Sequence, residues 1–258
     1  VQMEPNIVSY TAGVRACEKA GHWEQAVSLL SEMGQVMLKP SATSYTAGVS
    51  ACQYDRQWRR ALSLLAEIRK AELQPEVYTY SAGMNACAEA GQWLWPQALL
   101  LFHEMVEENL EPDAICYHSW LSVCGKAQQW QRALSSLREM CDHMLMPDTI
   151  CYWNVMVACK CGGQWQQALM LFREMREAKL GSSVSYSTGV SACEKVGQWQ
   201  RALSLLGEVV TARFELDATC CNAGISACEK GRQWQRALAL ISEMRDSKLE
   251  PNVITYSA

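Results

Sequence analysis

The chain has 258 residues, 49% of them apolar, and carries a formal net charge of −4 at pH 7. That content supports a sizeable core and excludes an intrinsically disordered chain. The acidic balance excludes a polycation that holds nucleic acid by bulk charge, so any such contact must come from a localised stripe.

Thirteen cysteines in a chain this long, with no signal peptide at its start, read as buried thiols rather than a secreted disulfide scaffold. No apolar run reaches the roughly 18 residues needed to span a bilayer, so no membrane partner is expected. The ends, Val1 and Tyr256-Ser257-Ala258, read as cuts through a longer array.

Self-similarity sets the elements. Trp23, Trp58, Trp93, Trp130, Trp165, Trp199 and Trp234 are separated by 35, 35, 37, 35, 34 and 35 residues. Cys17, Cys52, Cys87, Cys124, Cys159, Cys193 and Cys228 keep the same step. So do Ala26, Ala61, Ala98, Ala133, Ala168, Ala202 and Ala237. The first unit, residues 7–41, opens with Ile7-Val8-Ser9-Tyr10, passes Lys19-Ala20-Gly21, and closes through Ala26, Met33 and Leu38-Lys39-Pro40. The second spans 42–76. The third, 77–113, carries two extra residues in Trp93-Leu94-Trp95-Pro96. The fourth is 114–148, and the fifth, 149–182, is one residue short near Gly181-Ser182. Units 183–217 and 218–252 follow, and 253–258 open an eighth, the whole forming a single array over 1–258.

Each unit reads as two helices. In the last complete one the first helix covers about Thr219 to Lys230, a turn falls at Gly231-Arg232, and the second runs from Trp234 to Asp246. Trp234, Ala237, Leu238, Ile241 and Met244 then share one face. Leu249-Glu250-Pro251-Asn252 ends the unit, because proline stops a helical run and Asn or Asp after it caps the next helix. Glycine inside a helix costs up to about 1 kcal/mol. Its recurrence at Gly13, Gly48, Gly83, Gly189 and Gly224 therefore points to close packing between helices. A lone helix pair cannot offset a backbone ordering cost of roughly 1–2 kcal/mol per residue. Stacked pairs can. The expected fold is all-α, an α-solenoid of tandem two-helix repeats of about 35 residues.

The repeated wording is specific: Val/Ile-x-Ser/Thr-Tyr at the start, Lys-x-Gly before the turn, Ala then Met in the second helix, and Leu-x-Pro-Asp/Asn at the end. Lys230-Gly231, Ala237, Met244, Leu249-Glu250-Pro251-Asn252 and Val253-Ile254-Thr255-Tyr256 repeat what the first unit shows. The Trp-x2-Leu-Gly-x2-Tyr opening of the tetratricopeptide unit is absent. The chain resembles the pentatricopeptide repeat family over practically its whole length, as a P-type-like tandem array. Its Ser-Ala-Cys-Glu-Lys and Gln-Trp-Gln phrasing is similar to repeats of algal organellar proteins.

The resemblance implies a right-handed superhelix whose groove holds single-stranded RNA at about one base per unit, in a mitochondrion or plastid, for RNA processing, stability or editing. It assigns base readout to the residue after the tyrosine (position 5) and the residue after the unit's terminal proline (position 35). Carried over unit by unit, the pairs are Thr11 with Ser41, Thr46 with Glu76, and Ser81 with Asp113. They continue as His118 with Asp148, Trp153 with Ser182, Ser187 with Asp217, and Asn222 with Asn252. Ser or Thr with Asp resembles a guanine reader and Asn with Asn a pyrimidine reader. Units three and six therefore lean toward G and unit seven toward C. Trp153 has a single donor and suits stacking or blocking better than edge reading. Position 2, the family's base-packing position, is Val8, Thr43, Tyr78, Ile115, Ile150, Val184, Thr219 and Ile254. Lys19, Lys126, Lys195 and Lys230 resemble the family's phosphate contacts, with Arg56 in a neighbouring turn. Four phosphate contacts give a single-strand salt slope of only about −3.

Each role has a plainer counterpart. Position-35 residues also suit helix N-caps, lysines at helix C-termini suit the macrodipole, and position-2 side chains suit ordinary packing. The periodic cysteines, tryptophans and methionines are expected in the core. Cys159-Lys160-Cys161 and Cys220-Cys221 lack paired zinc-ligand spacing, so no metal or other cofactor is expected. No Ser-His-Asp set, P-loop, dinucleotide fingerprint or deaminase motif interrupts the beat, so the expectation is a binder rather than an enzyme, with no small-molecule substrate. The alternative is a tetratricopeptide-like scaffold for protein partners.

Overall fold

The computed structural model describes residues 6–54, 57–91, 94–180, 182–211, 217–246, 249 and 255. Asn252, Ile254, Arg56 and Trp93 lie outside them. Among the described residues there are fourteen helices. They are α1 (Ile7–Ala20), α2 (Trp23–Gln35), α3 (Ala42–Tyr54), α4 (Trp58–Lys70), α5 (Val77–Ala90), α6 (Trp95–Glu107) and α7 (Ala114–Lys126). The remainder are α8 (Trp130–Asp142), α9 (Thr149–Cys161), α10 (Trp165–Glu177), α11 (Ser183–Lys195), α12 (Trp199–Thr211), α13 (Ala218–Lys230) and α14 (Trp234–Asp246). The chain divides into two compact units, residues 1–127 and 128–258, a cut that falls inside the fourth repeat.

In the first unit α1 packs on α3, α3 on α5 and α5 on α7, while α2, α4 and α6 each lean on the first helix of their own repeat and of the next. The second unit repeats this arrangement, with α9, α11 and α13 as the continuous layer. First helices are thus covered from both neighbouring repeats. α5 buries every residue from Thr79 to Met84 and again from Ala86 to Ala88. α1, with no described helix before it, buries only Val14.

Second helices supply the anchors. Ala26 and Met33, Ala61 and Ile68, Ala133 and Met140, and Ala168 and Met175 are all fully buried, two turns apart on one face. The small alanine lets the helices approach, and the longer side chain fills what remains. The first-helix glycines do the same across the layer. A Cβ on Gly48 would lie 2.7 Å from Leu30 Cδ1, and one on Gly83 2.8 Å from Leu65 Cδ1. The leucines occupy the space a side chain would need.

Both ends of the helices are closed by the motif residues. Asp113 Oδ1 accepts from Cys116 N at 2.8 Å, Asp148 Oδ1 from Cys151 N at 2.9 Å, and Asp217 Oδ1 from Cys220 N at 2.6 Å. Ser182 forms a capping box with Ser185. Asp217→Ala is expected to loosen the start of α13 by about 1 kcal/mol, seen as faster amide exchange at Cys220 and Cys221. Unaltered exchange there would show that the cap is dispensable. At the other end, Met37, Glu72, Asn109, Met144 and Lys179 adopt left-handed φ of 55–60°. The next residue, always leucine, then donates its N–H back five residues: Leu38 to Met33 O at 2.8 Å, Leu145 to Met140 O at 3.0 Å and Leu180 to Met175 O at 2.9 Å. This Schellman closure explains the leucine of the Leu-x-Pro phrase.

The second helix of the third repeat starts at Trp95, with Pro96 in its first turn, which leaves Ala98 in register. One expectation is corrected: the tryptophans are not core. Trp23, Trp58, Trp130, Trp165 and Trp199 are half-buried and Trp234 is 67% exposed. Trp130, Trp165 and Trp199 sit at the repeat edge, where the next repeat covers them. The Trp199 indole fills the space beside Gly231, and the Trp130 indole the space beside Gly162. Arg236 stands over the Trp199 ring and Arg201 over the Trp165 ring, each 4.9 Å from the centroid.

Candidate nucleic-acid interface

The starts of the first helices carry the candidate residues, and the caps just described fix where they point. Position 2 turns outward. Val8 is 74% exposed, Tyr78 40%, Ile115 50%, Ile150 55% and Val184 52%. Thr219 is also exposed and Thr43 half-buried. Tyr78 is also tied to the preceding repeat, its hydroxyl 3.0 Å from Ser50 Oγ.

Position 5 is held by a ladder between repeats. Thr11 Oγ1 donates to Ile7 O at 2.7 Å and meets Ser44 Oγ at 2.8 Å. Thr46 Oγ1 donates to Ala42 O and meets Thr79 Oγ1, both at 2.8 Å. Thr255 Oγ1 donates to Asn222 Oδ1 at 2.7 Å. In each case the partner is the third residue of the following repeat. A threonine whose single proton goes to its own helix, and which accepts from the next repeat, keeps one lone pair. It can then only accept from a base. This constraint was invisible in the sequence, where a hydroxyl is both donor and acceptor.

The seven positions are not equivalent. Thr11, His118, Ser187 and Asn222 are half-buried, Trp153 is 37% exposed, and Thr46 is buried at 6% between Ala42 O and Thr79 Oγ1. Ser81 is 1% exposed and donates to Tyr78 O at 2.9 Å, so its hydroxyl lies beneath the surface. Position 35 divides its labour. Asp113, Asp148, Ser182 and Asp217 use a side-chain oxygen as the cap described above, and Ser41 Oγ accepts from Ser44 N at 3.2 Å. Glu76 occupies the cap position of α5 without bonding it, which leaves its carboxylate uncommitted to the helix.

The lysines are only partly available. Lys126 Nζ lies 2.6 Å from Glu89 and Lys230 Nζ 3.0 Å from Glu194, which also accepts from Ser226. These are surface pairs, worth about 0–1 kcal/mol each, so a phosphate can compete for them. Lys19 and Lys195 are exposed.

In the first compact unit these residues converge. An open groove of about 650 Å³ is lined by Lys19, Thr43, Thr46, Glu76 and Tyr78, which brings all three positions and a lysine to one surface. Arg15 lines it too. The sequence reading missed that residue, because it recurs in no other repeat.

The pentatricopeptide repeat domain model matches residues 2–53, 38–90, 100–163 and 204–258, and the PPR repeat model matches residues 152–180. No curated protein sequence matches the chain. Among solved structures, the pentatricopeptide repeat protein PPR10 from maize is similar over 98% of this chain, at 25% identity and a TM-score of 0.69. The similarity covers 37% of that protein, so this chain spans well under half of its length. PPR10 in complex with an 18-nt psaJ RNA element is similar over 99% of this chain and 51% of its own, at 20% identity and a TM-score of 0.51. The PPR domain of Arabidopsis thaliana protein-only RNase P 1, in complex with tRNA, is similar over 73% of this chain and 95% of its own. Its identity is 14% and its TM-score 0.61, a likeness of fold.

Proposed function

Because this chain belongs to the pentatricopeptide repeat family, we propose that it binds single-stranded RNA along the layer of first helices, at about one base per repeat. The observation that carries this is the groove in which Lys19, Thr43, Thr46, Glu76 and Tyr78 meet. It combines an apolar or β-branched wedge for base faces, the uncommitted carboxylate of Glu76 for a base edge and a cation for phosphate. The exposed row of Val8, Tyr78, Ile115, Ile150 and Val184 supports the same reading, since exposed apolar side chains at one repeated position suit base stacking. Ser187 with Asp217 favours guanine, and Asn222 with Asn252 favours a pyrimidine, cytosine first. The setting we propose is an organelle, in RNA processing, stability or editing.

Selection of bound RNAs from a random pool tests this, run in parallel with Asn222→Ala. A selected motif that loses its preference at one base in the variant is the expected result. It would fix register and code together. Pools that stay random with both proteins would remove the readout assignment.

A second reading is favoured by the ion pairs that occupy Lys126 and Lys230. With half of its phosphate contacts engaged, the layer also suits a protein partner. Partners that stay bound after RNase treatment would select that reading.

A further inference from the structure

The second helices carry a periodic charge that the RNA reading does not use. A glutamate stands nine residues into each of them, from Glu32 in α2 to Glu243 in α14. Two residues beyond that site, some repeats place an arginine that reaches the glutamate of the next second helix. Arg69 bonds Glu104 at 2.7 Å in the first compact unit, and Arg176 bonds Glu208 in the second. The arginine site holds Gly34 in α2, Val106 in α6 and Cys141 in α8, and between α12 and α14 the rung is missing too. Val210, 58% exposed, stands where Arg69 and Arg176 stand in their helices. Gly207 stands where α10 has Arg173. The result is a cavity of about 300 Å³ with Leu203, Leu206, Val210, Leu240 and Met244 among its lining residues. The groove between α10 and α12, with Arg176 in place, holds about 240 Å³.

The carboxylate in that cavity is Glu243, which makes no ion pair among the described residues. Arg236 also lines the cavity but is turned to the Trp199 ring. We propose that the cavity is a docking site for an arginine or lysine side chain, presented by a basic peptide segment of a protein partner and paired with Glu243. The two intact rungs show what the position accepts: a guanidinium on the glutamate. A nucleic acid is disfavoured, since the Glu243 carboxylate repels phosphate, the walls are apolar, and the Arg236 guanidinium is held over the Trp199 ring. The site is carried by second helices, whereas the position-2 and position-5 residues are carried by first helices, so the two can be occupied independently.

The test uses the full chain and a fluorescently labelled peptide, Gly-Leu-Arg-Leu-Gly, followed by anisotropy at low salt. The proposal expects saturable binding that falls by about tenfold or more in Glu243→Gln, in Val210→Arg, and when citrulline replaces the peptide's arginine. Val210→Arg restores the rung from within and closes the site. Glu243→Gln keeps the shape, and an unchanged thermal midpoint in that variant separates lost pairing from misfolding. Saturating polyuridine RNA should leave the peptide bound. Absence of binding, equal binding to Glu243→Gln or by the citrulline peptide, or displacement by polyuridine would each overturn the assignment.

Discussion

Raised from pH 8 to pH 11 under reducing conditions, the protein is expected to unfold, the second compact unit before the first. Burial pushes the thiols of Cys52, Cys159, Cys193 and Cys221 up to about 11, and those of Cys87, Cys116, Cys151 and Cys220 up to about 12. Desolvation is the first cause throughout, because a thiolate between packed helices finds no water to solvate it. An unfolded thiol titrates near 8.5. The native state therefore keeps its protons where the unfolded state releases them. The contribution is fully present below about pH 8.5 and is lost as the pH climbs toward the folded values. Each such thiol removes about 1.4 kcal/mol of stability per pH unit within that window.

Five of these eight thiols lie in residues 128–258 and three in residues 1–127, so the second unit has the steeper slope. Against a typical domain stability of about 5–15 kcal/mol, two pH units suffice to unfold it. Circular dichroism melts at half-unit steps of pH read this directly. Cys159→Ala combined with Cys193→Ala is expected to flatten the slope of the second unit. A thermal midpoint that holds constant from pH 8 to pH 10 would refute the account.

Phe172→Ala is expected to cost about 3–5 kcal/mol. The ring is 3% exposed and meets Tyr186 edge-on, with centroids 4.6 Å apart and planes at 71°. It joins α10 to α11, the first helix of the following repeat. In a repeat array, stability is the sum of the units' own terms and their interfaces, so the loss falls on one interface rather than on the whole chain. A thermal midpoint lower by on the order of 10 °C and early amide exchange in α11 are the expected signs. Phe172→Leu should lose less, because it leaves a smaller cavity. Protection of α11 equal to that of the unmodified protein would show that the ring does not hold the interface.

The repeat was legible because its period is a direct consequence of stacking identical helix pairs, and every period imposes the same small, apolar and capping residues. The roles of individual side chains were less so. The tryptophans share the beat of the alanines and methionines, yet they lie half-buried at the edge, because composition does not tell an interior contact from one made by the next repeat. Ser81 and Ser187 carry the same hydroxyl at the same repeat position. One is 1% exposed and the other half-buried, a difference set by the helices packed around them. In the sequence the leucine of the Leu-x-Pro phrase marks only the unit's end. Its function in closing the helix emerged only with the backbone, since a left-handed φ at Met37 or Lys179 leaves no signature in those residue types.

The sequence alone thus determined the all-α class, the two-helix unit and its family, because these follow from local periodicity and from caps that act within a few residues. Tertiary structure decided which position-5 groups meet solvent, which lysines are engaged by Glu89 and Glu194, and where the rung of arginine and glutamate is missing. Those properties depend on residues some 32 to 37 positions apart, brought together only when one repeat packs on the next.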